Sequence, residues 1–530
     1  MRLVKNALGR MVPNEVNGKT QTPYPGVNKH RPKGRKAAPR IATCVDYPED
    51  GNKLVPDLRT ALVRAGIRNG MTISTHHHFR DGDLLALQIF DACAELGLKD
   101  LVWFPSAAFP CHKPLIKYLD SGLIHHIEGS LNGPLGDYCT DGKMRGMGVL
   151  RSHGGRWQAI QDGEVHIDIA VLAAPAADAF GNANGVLGAS ACGSLNFGLA
   201  DSMYAGKVIV AADNLLPFPC VPWQIQGNYV DQVVKLDKIG DPSKIVSGTT
   251  QITKSPDRLY IAELAAKFIR DSGIMRDGFS FQAGAGGTSL AFAVYLKEMM
   301  KQAGVKARFI RAGSNKYLVE MLEEGLADYI LDGQTFDLDG VRSMRDNPRH
   351  VPTSPFTSYN FHGKGNFASL VDVAVLGATE VDVDFNANVV SHSDGRLLHG
   401  IGGWQNCLYG KCVILALPSF RDRIPVIKDR VTTICGPGEL IDVIVTERGI
   451  CINPGRADLL DAVRNSGLPI KPIERLKAEV DRICGKPDKA KLGNKPVAVV
   501  KWVDGTVIDT VWQARHFPLD IVGREHRIIR

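Results

Sequence analysis

The sequence predicts an α/β protein made of two tandem halves, each a mostly parallel sheet flanked by helices. Three observations predict it. Short apolar, β-rich runs alternate with helical patterns between residues 57 and 481, the order expected of a parallel sheet with crossover helices. Several of those runs end at a polar or glycine-rich loop that opens the next helix, which marks the carboxyl end of a strand. The unit Met71–Leu96 also has a counterpart in Phe279–Gln302, so the series runs twice, although no sequence identity proves a duplication.

In chain order, residues 1–40 read as a basic flexible arm. Asp57–Ala65 is a short amphipathic helix with Leu58, Ala61, Leu62 and Ala65 on one face, stopped at Gly66. Met71–Thr75 is a strand that meets His76-His77-His78-Phe79-Arg80-Asp81, and a helix over Leu84–Leu96 follows. Leu101–Phe104, Ile167–Ala173 and Val208–Ala212 continue the first sheet. Prolines and glycines between Pro219 and Pro256 place the boundary near residue 250, so the halves run 41–250 and 251–512, with a tail at 513–530. The second series is helix Arg258–Phe268, strand Phe279–Ala283, helix Leu290–Gln302, then strands Ala307–Ile310, Tyr329–Leu331, Asp372–Leu376, Val413–Leu417, Ile441–Thr446 and Ile450–Ile452. Leu459–Asn465 and Pro472–Asp481 are closing helices. Val497–Val500 and Thr506–Val511 form a hairpin around Asp504-Gly505, a favoured turn pair.

Composition narrows the function classes. With 530 residues, 44% hydrophobic and 22% charged, the chain reads as a soluble multidomain protein. No apolar run is long enough for a membrane span, and the start carries no convincing signal peptide. Eleven scattered cysteines without a CxxC pair fit reduced thiols in a cytoplasm and argue against a structural zinc. The net charge of +7 is uneven: the run Lys29–Lys36 is either a solvated arm or a docking site for an acidic partner, and lacks the aromatic interleaving of a nucleic-acid binder.

Four stretches carry candidate chemistry. In Leu376–Trp404 the carboxylate of Glu380 follows an apolar strand, with Asp382 and Asp384 nearby, and Gly400-Ile401-Gly402-Gly403 follows about twenty residues later. A carboxylate that attacks a carbonyl and a glycine bend whose N–H groups hold the oxyanion are what acyl transfer needs; a solvated acidic turn and a glycine hairpin is the alternative. Gly284-Ala285-Gly286-Gly287-Thr288-Ser289 is either an anion cradle at a helix start or a plain tight turn. Asp178–Gly185 is a run of turn-forming residues. His76–His78 offers metal ligation, pocket lining or a surface loop; adjacent side chains diverge, so only one or two can converge. Ser391-His392-Ser393-Asp394 copies a triad in composition only.

The segments GMTISTHHHFRDGD, APAADAFGNANG, FQAGAGGTSLA and GATEVDVDFNANVVSHSDGRLLHGIGGWQN together resemble the coenzyme A transferase superfamily, and within it the citrate lyase alpha-subunit family, over about residues 40–512. The resemblance implies two coenzyme A transferase-like domains and an exchange of acetyl for citrate on an acyl carrier protein thioester. A separate beta subunit then cleaves the citryl thioester to oxaloacetate. The resemblance also implies a cytoplasmic hetero-oligomer with the carrier (gamma) subunit. It further implies that this chain binds no cofactor or metal of its own and acts on citrate and acetyl-CoA, or on the carrier's dephospho-CoA-derived group. Glu380 falls where many superfamily members carry a nucleophile, whereas in the citrate lyase branch citrate itself is held to attack. Gly402 and Gly403 are assigned to the oxyanion, Arg80 and Arg396 to carboxylate clamps, and Gly284, Gly286, Gly287, Thr288 and Asn182 to substrate or CoA binding. A stand-alone acetate-type transferase with a covalent glutamyl-CoA intermediate is the alternative reading.

Overall fold

A computed structural model describes residues 1–34, 48, 50–246, 251–284, 286–485 and 490–514. The first half holds a seven-stranded sheet, in spatial order Leu54–Val55, Gln232–Lys235, Lys207–Ala212, Ile169–Ala174, Thr72–Thr75, Leu101–Pro105 and Ile124–Ile127, parallel throughout. The central strand Ile169–Ala174 is buried along its whole length, which is why it reads as an unbroken apolar run rather than an alternation. Helix Leu58–Arg64 is started by Asp57, whose carboxylate accepts the Thr60 N–H at 2.6 Å. The strands the sequence did not announce, Leu54–Val55, Gln232–Lys235 and Ile124–Ile127, lie at or next to the sheet edges and are too short to show a period.

The second sheet has eight strands, in order His350–Pro352, Ile330–Thr335, Ala307–Ser314, Phe279–Gln282, Val373–Leu376, Val413–Ala416, Val443–Thr446 and Gly449–Ile452. Only its last pair is antiparallel, a tight hairpin with Thr446 opposite Gly449. Val373–Leu376, which the sequence presents as alternating, is buried at all four positions. Asp372 stands at its start, where Lys411 at 2.8 Å pairs its carboxylate. Helices Pro256–Asp271 and Gly287–Ala303 pack on each other, and Ile261, Ala265, Phe268, Phe292 and Leu296 belong to the core of this half.

The opening segment departs from the expected flexible arm. Leu3–Lys5 pairs with Met11–Pro13 and Glu15–Val16 with Lys19–Thr20, with Val12, Val16 and Tyr24 buried. Asn6 Nδ2 donates to the carbonyl of Ile508 at 2.7 Å. The apolar partners of this opening segment, Val149, Val499 and Val507, come from distant parts of the chain, so a local reading finds too few of them to predict order. Lys29–Gly34 has no regular structure; the rest of the basic run, residues 35 and 36, lies outside the described residues, as do the boundary at 247–250 and residues 515–530. The hairpin around Asp504-Gly505 is present as Leu492–Lys501 and Val507–Ala514, and it adds to strand Gly148–Leu150 of the first half. The C-terminal chain therefore returns across the junction and, with the first 24 residues, straps the halves together. Among the described residues no helix is long and apolar enough to cross a membrane, and the ten described cysteines are all free thiols.

Candidate active site at the junction of the two sheets

The carboxyl ends of strands from both sheets meet at one place. Strand Thr72–Thr75 delivers the three histidines, and Leu101–Pro105 delivers Ser106. The His77 backbone N–H donates to Ser106 Oγ at 2.9 Å, so the hydroxyl is free to donate to His77 Nδ1. The ring proton then sits on Nε2, 3.2 Å from Gln334 Oε1 on strand Ile330–Thr335 of the other half. His153 opens helix His153–Asp162 after Ser152, whose hydroxyl accepts the Gly155 N–H. Its ring stacks on His77 with centroids 5.2 Å apart and lies 6.2 Å from Tyr359. Burial pushes the His77 imidazole down to about 3 and His76 to about 4, and holds His78 and His153 well below their ordinary value. All four rings are neutral at physiological pH. His76 and His78 face each other through Nδ1 atoms 2.6 Å apart, so of the three adjacent histidines only His77 reaches across to the other half.

The glycine bend forms the second wall. Gly402 has φ +60°, a conformation glycine adopts without strain. A Cβ on Gly403 would sit 2.4 Å from the Tyr359 hydroxyl oxygen, and one on Gly400 would overlap Ser130 Oγ. The Gly402 carbonyl accepts the His153 N–H at 2.8 Å, and the Trp404 indole donates to the Gly377 carbonyl at 2.8 Å. Among the described residues, nothing accepts the N–H groups of Gly402 and Gly403. Cys407 donates its S–H to the Gly403 carbonyl at 3.1 Å. Arg311, on strand Ala307–Ser314, donates to Gln282 Oε1 and lies 4.2 Å above the Tyr359 ring.

The residues singled out in the sequence divide into two groups. Arg80 reaches the junction: its guanidinium lies 4.9 Å over Phe336 of the second half, and burial, opposed by Asp81, lowers its pKa. Gly286 caps helix Gly287–Ala303 without a side-chain bond, leaving its first turn, with Thr288, open beside Gly284; Ala285 lies outside the described residues. Glu380, by contrast, is fully buried in strand Glu380–Asp382. Its Oε1 pairs with Lys428 Nζ and accepts the Thr432 hydroxyl at 3.2 Å, while Oε2 accepts Asn388 Nδ2 at 3.0 Å and the Thr432 N–H at 2.8 Å. Burial raises its pKa, but Lys428 and these donors outweigh that and hold it below the usual range. None of these partners belongs to the 400–403 bend, so the carboxylate is engaged by its own neighbours and not by that bend. Asp382 likewise accepts the N–H groups of Asp384 and Asn386 within its own turn.

Arg396 is a second departure from expectation. Its guanidinium holds Asp137 at 2.6 Å and Asp141 at 3.2 Å, so it clamps carboxylates of this chain and joins the two halves. Asn182 is absorbed by its turn, donating to Asp178 Oδ2 at 2.9 Å and accepting the Gly227 N–H at 2.9 Å. Ser391 is buried and bonded to Asn388 and Thr433, and Ser393 is a hydrogen-bond partner of Glu380. The residues the sequence did not single out, His153, Arg311, Gln334 and Tyr359, come from four segments with no shared motif.

A family model described as citrate lyase, alpha subunit, matches residues 51–514. The citrate lyase alpha chain of Klebsiella pneumoniae is 38% identical over 497 residues, 93% of this chain and 96% of the relative. That of Escherichia coli K12 is 38% identical over 87% of this chain and 91% of its own. A crystal structure described as the putative alpha subunit of citrate lyase from Streptococcus mutans, in complex with citrate, superposes with a TM-score of 0.93 at 38% identity, covering 96% of this chain and all of that one. The malonate decarboxylase alpha subunit of Acinetobacter baumannii shares the fold, with a TM-score of 0.60 at 17% identity over 82% of this chain and 88% of that one.

Proposed function

This chain belongs to the citrate lyase alpha-subunit family, and from that premise we propose that it exchanges the acyl group of a carrier thioester, replacing acetyl by citrate. One observation carries the reading. The junction presents two guanidiniums, neutral imidazoles and two unbonded backbone N–H groups, a setting suited to a polycarboxylate and a developing oxyanion. A citrate carboxylate oxygen attacks the acetyl carbonyl, and the Gly402 and Gly403 N–H groups hold the oxyanion. The carbon–sulfur bond breaks and the thiolate departs, leaving an acetyl–citryl anhydride. The thiolate then attacks the citryl carbonyl and acetate leaves, so the thioester's activation is kept. Neutral His77, held between Ser106 and Gln334, and neutral His153 line the site without adding a charge that would hold the thiolate back.

In this reading Arg80 orients a carboxylate, and the first turn of helix Gly287–Ala303, with Gly286 and Thr288, receives a phosphate of the carrier's CoA-like arm. The thioester belongs to an acyl carrier protein partner, with acetyl-CoA as its free counterpart. A beta subunit cleaves the citryl product, and the complex works in the cytoplasm. Direct attack by citrate is preferred over a covalent glutamyl intermediate because Glu380 already meets Lys428, Asn388 and Thr432. The test is citrate-dependent release of acetate from an acetylated carrier by the purified chain. Borohydride added after acetyl-CoA separates the two routes, since it reduces a glutamyl thioester in place; labelling at Glu380 would replace this reading with the stand-alone transferase.

A further inference from the structure

Three arginines among the described residues are buried: Arg151, Arg156 and Arg311. Two have protein counter-ions. Arg151 meets Glu128 and Glu164, and Arg156 grips Asp201 through both terminal nitrogens at 2.6 and 2.8 Å. Arg311 is only 2% exposed, and its neighbours are all neutral: the Gln282 amide, the Tyr359 ring and the Cys407 thiol, whose sulfur is 3.7 Å from Nη1. Burial raises the pKa values of Cys407 and Tyr359, so neither supplies a negative charge. Its Nε has no hydrogen-bond partner. A buried guanidinium without a counter-ion is among the costliest arrangements in a protein interior. Such a group persists where its counter-ion arrives with a ligand.

We propose that Arg311 is the carboxylate anchor of this site, pairing with one carboxylate of a polycarboxylate substrate beside the Gly402–Gly403 bend. The anchor is set against that bend by two of its neighbours. Cys407 bonds the Gly403 carbonyl, and the Tyr359 hydroxyl lies where a Gly403 side chain would be. Gln282 fixes the guanidinium plane by accepting from Nη1. A ligand reaches the anchor when Tyr359 swings aside or the halves part. This inference rests on the reading proposed above and adds the residue that selects the acid.

The test uses the full-length wild type, R311Q, R311K and R156Q, with citrate and acetate as probes in calorimetric titration and thermal melts. In R311Q, citrate binding is expected to weaken at least about 10-fold, the loss of one charged hydrogen-bonded pair, and the citrate-induced rise in Tm to disappear. The ligand-free Tm of R311Q should equal or exceed that of the wild type, because an uncompensated charge has been removed, whereas R156Q should melt lower because Asp201 is left unpaired. R311K, which keeps the charge and loses the fork, should bind citrate with intermediate affinity. Citrate binding by R311Q within about 3-fold of wild type overturns the anchor, this being well short of one lost pair. So does a ligand-free R311Q that unfolds or melts as low as R156Q, since that shows the cation to be held by the protein itself. A wild type that binds no citrate removes the functional reading and the anchor with it; a wild type and R311Q that bind citrate equally remove the anchor alone.

Discussion

Glu380 and the Gly400–Gly403 bend lie in one stretch of sequence and in opposite chemical conditions. Around Glu380 both carboxylate oxygens have donors and a lysine balances the charge. At the bend, two N–H groups meet no acceptor among the described residues, and the nearby Arg311 meets no carboxylate. Native interiors satisfy their polar groups, so the buried carboxylate is accounted for by folding, whereas the half-buried N–H groups and the buried guanidinium are left with room for a further partner. The acidic residue that looks reactive in the sequence has both oxygens engaged by its own neighbours, and the glycines beside it present N–H groups with no protein acceptor among the described residues.

The sharpest way to break this contrast is Glu380→Ala. It leaves Lys428 buried without its partner, and a loss of about 3–5 kcal/mol is expected in urea denaturation. The fraction that stays folded should retain acyl transfer, and a well-folded variant with no turnover would return Glu380 to the nucleophile's role. Gly403→Ala comes next. The new methyl meets the Tyr359 hydroxyl and disturbs the donor pair, so a fall of about 100-fold in kcat is expected, the scale of one lost oxyanion donor. The same clash should cost about 1–3 kcal/mol of stability, and a folded variant with unchanged kcat would take the bend out of the chemistry.

Acid tests the buried groups of both regions. The histidine pKa values are depressed in the folded protein, so the unfolded chain binds more protons below pH 6.5 and stability falls as pH drops from there toward the folded values of about 3 for His77 and about 4 for His76. One pH unit below the unfolded value, each histidine costs about 1 kcal/mol. Glu380, also depressed, stabilises above the usual glutamate pKa, and that contribution is lost only in stronger acid, as pH falls through its folded value. Melts from pH 7.5 to 4.5 should therefore decline first in the histidine window, and a flat profile there contradicts the buried neutral rings. Arg396→Ala is the smallest change. Its pairs with Asp137 and Asp141 join the halves at a partly exposed site, so about 1 kcal/mol in denaturation is expected. Acetate release should stay within about 2-fold of wild type on that scale, and a large loss of turnover would restore its role as a substrate clamp.

Much of the fold was legible because parallel sheets bury both faces of their strands and write themselves as apolar runs, as in Ile169–Ala174 and Val413–Ala416. The Asp504-Gly505 turn was equally plain, since Gly505 takes φ +87°. The opening hairpins were hidden because what orders them is the last strand of the chain. In the site, glycines and the histidine run stood out as local patterns, whereas His153, Arg311, Gln334 and Tyr359 carry no local signature.

The sequence by itself determined the alternation of strands and helices, the two halves and the positions where backbone must bend, because burial and φ preference act on neighbouring residues. Tertiary structure alone decided which charges are balanced. Whether Glu380 meets Lys428, Arg396 meets Asp137 or Arg311 meets only neutral groups depends on segments tens to hundreds of residues apart. The energy of a buried charge is set by its surroundings in space and not by its neighbours along the chain.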